Sequence, residues 1–485
     1  MSCGRLRSGC PHYSSLFLSV SGMMKNGLWV LRRYSFSVHS TAYFQSFVRY
    51  PKELEWARLR GYARRMRRLE GGWPLPPLSK TFIVSQSDIF GEPLFPNLKS
   101  LTLVNVTDDL VPLIPLFLSP GVTSIDLTFK LSFPGEEAAS AVTTLPTLCP
   151  NLQAISLQSL PRDPIIITAV SEMLLVTNRN ILQQLDLCSP LTEEASEVIC
   201  NLPTLRKLRV DIDGPGSLPT LVLPNLTEIA IEHDHDHSWL QGFRGATLGK
   251  LTSVAFHCRS RTISNFLEAF ESVALTTSIP ATLSKFMFYP LTSCSWRPDY
   301  RSLLPFTQLK DLTIWFSCDY GCSSTIDDDI ITDLARAMPK LEILHLGKSP
   351  CKAPTGVTTK GLAALAYYCP RLSNLCVHFQ IAGLDPSGIP QVTSGGEPTI
   401  PREDCALYLD VGDIYVPRRS TYIVALTLLH IFPRLRLDIR CIGRRWEEVA
   451  YAMKVSRRRA SYSSKKHSFD TPRRSVDGIP FRSHT

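Results

Sequence analysis

The sequence has no run of 18 uncharged apolar residues, which argues against a protein that crosses a membrane on a long helix. Its 14 cysteines include no CxxC pair, so neither a zinc ribbon nor a dithiol redox motif is indicated. A nucleophile elbow, a phosphate-binding glycine loop and an HExxH helix are also missing. We therefore expect a protein that is not an enzyme, needs no cofactor and keeps its cysteines reduced inside the cell.

Charge is unevenly distributed along the 485 residues, although the formal net charge is only +9. Residues 1–70 carry a net charge of +10 and residues 444–485 carry +7, which leaves −8 for residues 71–443. A nucleic-acid-binding protein needs basic residues clustered on its folded part. Because the middle of the chain is acidic, we do not expect nucleic acid to be a partner.

A short phrase with apolar residues at its first, fourth and sixth positions recurs eleven times, and successive copies start 21 to 32 residues apart. The clear copies start at Leu98, Leu152, Leu205, Leu226, Leu341 and Leu372, and the weaker ones at Val122, Leu182, Leu251, Leu283 and Leu309. Residues two apart in a strand face the same side, so the fourth and sixth positions point to one core. A single repeat cannot bury that face alone, and stacking supplies the core. The rhythm predicts an α/β leucine-rich-repeat solenoid, a right-handed αβ horseshoe, over residues 80–440.

The repeats depart from the usual pattern in one respect. Many leucine-rich repeats carry Asn or Cys at the ninth position, where the side chain closes a hydrogen-bond ladder. Here that position holds residues such as Val106, Leu160 and Asp213, so we expect irregular repeats with uneven curvature. Helices should connect the strands, one starting at the acidic cluster Asp327–Asp329 and another spanning Val357–Tyr368.

Segments on both sides of the main run of repeats resemble parts of a known family. Residues 50–69 look like the helix that follows an F-box, residues 420–435 resemble a last repeat, and residues 445–449 resemble a terminal helix. With the repeats, these segments make residues 50–455 similar to F-box/leucine-rich-repeat proteins, particularly the fungal (basidiomycete-type) set. An F-box itself is not recognisable, because residues 1–49 have no Leu-Pro-acidic start and no long apolar helix.

The resemblance implies a substrate receptor of an SCF-type cullin–RING ubiquitin ligase. In such proteins the F-box binds a Skp-type linker, and the repeats bind a protein substrate on the concave face. The alternative is a leucine-rich-repeat scaffold without ligase association. The expected location is the cytoplasm or the nucleus.

These features divide the chain into four parts. A basic leader at residues 1–50 is followed by a helical segment at 51–79, whose lead-in helix covers 51–69. The repeats occupy 80–440 and include a loop at 381–404, and a terminal helix with a disordered basic tail occupies 441–485. Residues 1–52 hold seven Lys or Arg and no acid, the composition of a mitochondrial presequence. The leader is therefore an unstructured segment, a gene-model error or a mitochondrial signal, and the last would place the protein in mitochondria.

The third, fifth and seventh positions of each copy should point to the concave face, where a partner docks. Large aromatic residues, Met and Arg concentrate binding energy at protein interfaces. The candidate partner-binding residues on this face are Lys207, Arg209, Met287, Tyr289, Trp315 and His345. The alternative for Tyr289 and Trp315 is packing against neighbouring loops.

One stretch has residue types that bind metals. His233, His235 and His237 would share one face if the strand continued through them, and imidazoles so arranged suit zinc or nickel. The stretch follows Ile231, where the repeat rhythm predicts that the chain turns. We therefore expect a solvated polar loop and treat the three histidines as weak metal candidates.

Overall fold

The computed structural model describes residues 61–72, 93–108, 110–130, 135–212, 218–233, 238–259, 265–290, 298–315, 326–347, 356–380, 407–410, 416–433, 435–437 and 444–469. Within these ranges, fourteen strands form one open sheet whose strand order follows the chain order. Every neighbouring pair is parallel. The fold is thus α/β, and sequential parallel strands are compatible with a solenoid-like arrangement.

The strands are short and evenly distributed among the described residues. They are β1 Arg68–Gly72, β2 Ser100–Val106, β3 Ser124–Phe129, β4 Ala154–Gln158, β5 Gln184–Leu187, β6 Lys207–Ile212, β7 Glu228–His233, β8 Ser253–Cys258, β9 Lys285–Pro290, β10 Asp311–Ile314, β11 Ile343–Leu346, β12 Asn374–Val377, β13 Tyr408–Asp410 and β14 Arg436–Leu437. All eleven copies of the apolar phrase fall on β2 to β12, one copy to each strand.

Helices connect many of these strands. They are α1 Ile114–Phe117, α2 Glu136–Leu148, α3 Pro164–Val176, α4 Glu193–Cys200, α5 Phe266–Ala274, α6 Ile279–Thr282, α7 Asp328–Ala337, α8 Thr359–Tyr368, α9 Thr421–Ile431 and α10 Arg444–Phe469. Short 3-10 turns occur at Val111–Leu113, Ser238–Phe243, Tyr300–Leu303 and Arg418–Ser420. No helix in the described ranges is long and apolar enough to span a bilayer.

The register explains why the apolar phrase recurs. Leu101 of β2 pairs with Ile125 of β3, and the same row continues through Ile155 to Leu185 on the next two strands. These side chains are nearly fully buried and belong to one continuous core that includes the inward faces of the helices. Because each buried aliphatic side chain contributes about 1.5–3 kcal/mol, the in-register rows stabilise the stack of strands.

The turns before the strands are stabilised by hydrogen bonds from side chains at positions other than the ninth of the repeat. Asn97 donates through Nδ2 to the carbonyl of Arg64 at 2.8 Å, and Asn225 donates to the carbonyl of Pro203 at 2.8 Å. Thr227 and Thr252 likewise donate to carbonyls of the preceding turn. A side-chain-to-backbone ladder is therefore present, but it is built by the residue before the first leucine and by hydroxyls just after it.

The helix start predicted at the acidic cluster is confirmed. Asp327 is the N-cap of α7, and its Oδ1 accepts a hydrogen bond from the backbone N–H of Ile330 at 2.9 Å. Asp328 and Asp329 lie in the first turn, where carboxylates interact favourably with the helix dipole. The helix predicted over 357–368 is α8, which starts two residues later.

The helical lead-in predicted for 51–69 ends earlier than expected. Residues 61–63 are helical, but β1 starts at Arg68 and Leu69 pairs in register with Leu101. The sheet therefore begins before residue 80. Met66 and Leu69 occupy the first and fourth positions of one more copy of the phrase, which Gly71 at the sixth position conceals. Residues 51–60 and 73–79 lie outside the described residues.

The terminal helix is longer than predicted. A disordered tail was expected soon after Val449, yet α10 continues to Phe469. Its first turns are fixed to the body because Trp446, Val449 and Met453 are buried. The predicted leader at 1–50, the loop at 381–404 and the tail beyond residue 469 lie outside the described residues.

Candidate functional site

The sheet has a second face, which we call the polar face. It is formed by the strand residues that alternate with the core rows. In its middle part, the first row is Gln184, Lys207, Glu228, Ser253, Lys285, Asp311 and Ile343; the second is Asp186, Arg209, Ala230, Ala255, Met287, Thr313 and His345; the third is Cys188, Asp211, Glu232, His257, Tyr289 and Trp315. All six candidate partner-binding residues lie on this face.

Aromatic side chains form a continuous group, the aromatic cluster, across β8 to β11. The rings of His257 and Tyr289 stack with centroids 4.7 Å apart and planes 8° apart. The Tyr289 and Trp315 centroids lie 6.5 Å apart at 27°, and His345 meets Trp315 edge-on at 6.2 Å. The hydroxyl of Tyr289 lies 3.4 Å from Sδ of Met287. The structure thus brings four of the six candidates together and adds His257.

The exposure of the aromatic cluster suits contact with a partner. Trp315 keeps 38% of its surface exposed, and the other rings hold it along the row of strands. Burial and the charge of Asp311 raise the pKa of Tyr289, so its hydroxyl stays protonated and can donate a hydrogen bond. Burial lowers the pKa of His257, and Arg209 and Arg259 lower it further against the opposing effect of Glu232, which favours the neutral imidazole near pH 7.

Beside the aromatic cluster, two arginines share the buried carboxylate of Glu232. Arg209 donates from Nε to Oε1 at 3.1 Å, and Arg259 donates from Nη2 to Oε2 at 2.6 Å. Burial raises the pKa of Glu232, but the hydrogen bond from Arg209 and the charges of both arginines outweigh it and lower that pKa below its usual value. Glu232 is therefore an anion at neutral pH that fixes two guanidinium groups.

A second buried carboxylate continues this network. Asp211 is only 2% exposed, accepts from Nη2 of Arg162 at 2.7 Å and lies 3.6 Å from Arg259. Asp186 lies 3.8 Å from Arg209. Burial raises the pKa of both aspartates, and the nearby arginines only partly offset this effect. We call Arg162, Asp186, Arg209, Asp211, Glu232 and Arg259 the charge network; it holds three cations and three carboxylates.

The two basic candidates are held by acidic neighbours. Arg209 keeps about a third of its side chain exposed while it pairs with Glu232. Lys207 pairs with Glu228 at 2.9 Å, and both side chains are about half exposed, so water screens the pair and it stabilises the fold little. Both candidates lie three strands from Met287 and Tyr289, which corresponds to about 14 Å along the sheet.

The interpretation of the histidine stretch needs correction. His233 does not lie in a solvated loop: β7 continues through it, it pairs with Cys258, and it is 2% exposed. Its ring lies 4.9 Å from that of Trp239 and stacks on Phe266, on the core side of the sheet. His235 and His237 lie outside the described residues. In the described part of the chain, no group of three or more His, Cys, Asp or Glu is arranged to hold a metal ion.

Several residues of this surface were not among the candidates. Glu232 and His257 occupy the same seventh position as Tyr289 and Trp315, so the repeat rhythm places them on this face, and Asp211 occupies that position in its own repeat. Arg162 and Arg259 lie outside the apolar phrase, and nothing in the sequence links them to these carboxylates.

Cys188 is the thiol on this surface closest to the charge network. Burial and the carboxylates around it raise the pKa of its thiol to about 11, against the opposing effect of Arg209. A thiol in this state is a poor nucleophile at neutral pH. The surface therefore offers organised contacts for binding, and Cys188 is not an activated thiol.

Comparison with known proteins gives no indication of function. No protein-family model matches the chain, and no curated protein matches it. The described geometry consists of an open parallel sheet with the aromatic cluster and the charge network side by side on one face. This arrangement is suited to recognition of a large surface.

Proposed function

We propose that this chain is a leucine-rich-repeat protein of the αβ-horseshoe type that binds a protein partner on the polar face, which forms the concave side. The observation that carries the proposal is the continuity of the aromatic cluster with the charge network across β5 to β11. The repeat type is supported by two features of the apolar phrase: each copy forms one strand, and the apolar positions of neighbouring copies pair in register.

The size of this surface favours a protein partner. Six strand spacings separate β5 from β11, which corresponds to about 29 Å at about 4.8 Å per strand. A surface of this width matches one side of an ordinary protein–protein interface, and Trp, Tyr and Arg are the residues that most often dominate such interfaces. Contacts among its own side chains hold the surface in place, so little conformational entropy is lost on binding.

We further propose that the partner is a ubiquitination substrate and that the chain acts as receptor of an SCF-type ligase, with a Skp-type linker as its second partner. The support is the resemblance of residues 50–455 to F-box/leucine-rich-repeat proteins. Residues 1–60, where a linker-binding segment would precede the repeats, lie outside the described residues. The alternative is a scaffold that binds its partner on the same face without ligase association.

The experiment that tests the binding face is proximity labelling in cells with tagged variants. Proteins labelled by the wild type should be lost with Tyr289→Ala/Trp315→Ala and kept with Tyr422→Ala, an exposed tyrosine on α9. If both variants label the same proteins, the polar face is not the binding site. Purifying the tagged wild type from the same cells and probing for the Skp-type linker and cullin separates the ligase receptor, which recovers both, from the scaffold, which recovers neither.

A further inference from the structure

The helical side of the molecule has a strongly acidic part. Helices α2 to α5 contain eight glutamates and neither lysine nor arginine: two in α2, one in α3, three in α4 and two in α5. The six glutamates on α2, α3 and α4 are all exposed. This surface lies on the opposite side of the sheet from the aromatic cluster and is not used by the proposed function.

An apolar groove of about 410 Å³ runs between α2 and α3 within this acidic region. Ala139, Thr143 and Ala169 contribute to its lining, and these small side chains allow another element to approach closely. Ile165 lines the groove with 52% of its surface exposed, and the carboxylate of Glu172 borders it. An apolar groove with an acidic border fits a helix that carries apolar and basic side chains.

The chain itself contains such a helix. Between Glu448 and Asp470 there is no acidic residue, whereas this part of α10 holds six Lys or Arg. Tyr451 is 70% exposed, and Arg458 follows seven residues later, on the same side of the helix after about two turns.

The helix α10 cannot occupy the groove of its own chain. α10 follows β14, whereas α2 and α3 lead into β4 and β5, nine or more strand spacings away. That separation is about 43 Å along the sheet. Near its middle, α10 is held beside the last strands by Arg457, which donates to the carbonyls of Pro433 and Leu435, and the twelve residues after Arg457 extend only about 18 Å.

We propose that the groove between α2 and α3 binds the basic part of α10 from a second copy of this chain. The groove and the helix are different patches, so the contact is head-to-tail and further copies can add at either end. Apolar burial in the groove supplies affinity, and the glutamates select a basic helix. This self-association is independent of partner binding on the polar face.

Sedimentation velocity of the full chain over a range of concentrations tests the proposal. At low ionic strength the mean mass should rise with concentration, and at about 0.5 M salt it should return toward the monomer because charges are screened. A monomer at every concentration in low salt would overturn the proposal. An oligomer that is insensitive to salt would overturn it as well.

Charge reversal identifies the two patches. Glu136→Lys/Glu137→Lys/Glu172→Lys and Lys454→Glu/Arg458→Glu/Arg459→Glu should each be monomeric. Their mixture should associate, because the unchanged helix of the first variant fits the unchanged groove of the second, and the two reversed patches are also complementary. The matched control is Glu70→Lys/Glu228→Lys/Glu342→Lys, which changes the same charge away from the groove and should associate like the wild type. If the control also becomes monomeric, or if the mixture stays monomeric, the assigned contact is wrong. If the groove variant fails to fold, the helix variant alone still tests the contact. Its three substituted residues are exposed, so the chain should fold and its association can be measured.

Discussion

The carboxylate of Asp328 accepts a hydrogen bond from the backbone N–H of Gly361 at 2.8 Å, which joins the first turn of α7 to the first turn of α8. The same carboxylate accepts from the backbone N–H and the hydroxyl of Thr358 at 2.7 and 2.6 Å. A Cβ at position 361 would lie 2.6 Å from Oδ1 of Asp328, so glycine is required for this close approach. One side chain thus links two consecutive repeats.

Asp328→Ala should therefore destabilise the protein by about 1–3 kcal/mol, since it leaves partly buried donors at the start of the next helix without an acceptor. The matched control is Asp329→Ala, which removes an exposed carboxylate that pairs with the exposed Lys360. Urea unfolding followed by circular dichroism measures both. Equal effects of the two variants would show that Asp328 acts only through the helix dipole.

Glu232→Gln should lower stability at neutral pH by about 1–3 kcal/mol, because a neutral amide cannot neutralise Arg209 and Arg259. The folded pKa of Glu232 is below its ordinary value of 4.5, so its contribution is present above pH 4.5 and is lost as the pH falls through the lower folded pKa. The difference in unfolding free energy between wild type and variant should shrink over that acidic range. Glu228→Gln, at a half-exposed pair, is the control. A difference that is constant with pH would contradict the assignment.

His257 should make the protein sensitive to mild acid. Its folded pKa lies below 6.5, so the unfolded chain binds a proton more readily, and stability falls as the pH drops through 6.5 toward the folded pKa. Above pH 6.5 the residue contributes no pH dependence. In His257→Gln, the unfolding free energy should fall less between about pH 7.5 and about pH 5.5 than in the wild type. Urea unfolding midpoints at these two pH values measure the difference. If wild type and variant lose equal stability between these pH values, His257 is not the group responsible.

Trp315→Ala should weaken partner binding while leaving the unfolding free energy nearly unchanged, because the side chain is partly exposed on the polar face. Leu312→Ala, three residues earlier and fully buried, should destabilise the fold by about 2–5 kcal/mol. Thermal unfolding and partner capture, measured on the same preparations, separate the two effects. A large loss of stability in Trp315→Ala would make that side chain structural.

Arg209→Glu should lower the stability of the fold as well as change the charge of the polar face. It would place a fourth carboxylate beside Glu232 and Asp186, in a network where Arg209 now neutralises both. We expect a lower melting temperature than for Lys207→Glu, whose partner Glu228 is half exposed. If both variants melt alike, the charge network contributes nothing through Arg209.

The amino-acid sequence by itself determined the strands and the face on which the candidate residues lie. The alternation of side chains along a strand is a local property, so the apolar phrase ending at Leu101 and Leu103 was enough to predict a strand and its buried side. The acidic start of α7 was equally local. The copy at β1 was missed only because Gly71 replaces an apolar residue.

Only the tertiary structure decided which distant residues meet. Arg162 and Asp211 are 49 residues apart, and their ion pair depends on how a loop after one strand reaches a strand two repeats later. His233 was misplaced because the rhythm does not show where a strand ends, and β7 runs two residues beyond Ile231. The start of α10 is fixed by the burial of Trp446, whose ring meets that of Phe379 edge-on at 6.3 Å. In each case a contact between elements, rather than a preference within one, determines the outcome, because local periodicity carries no information about which loops converge.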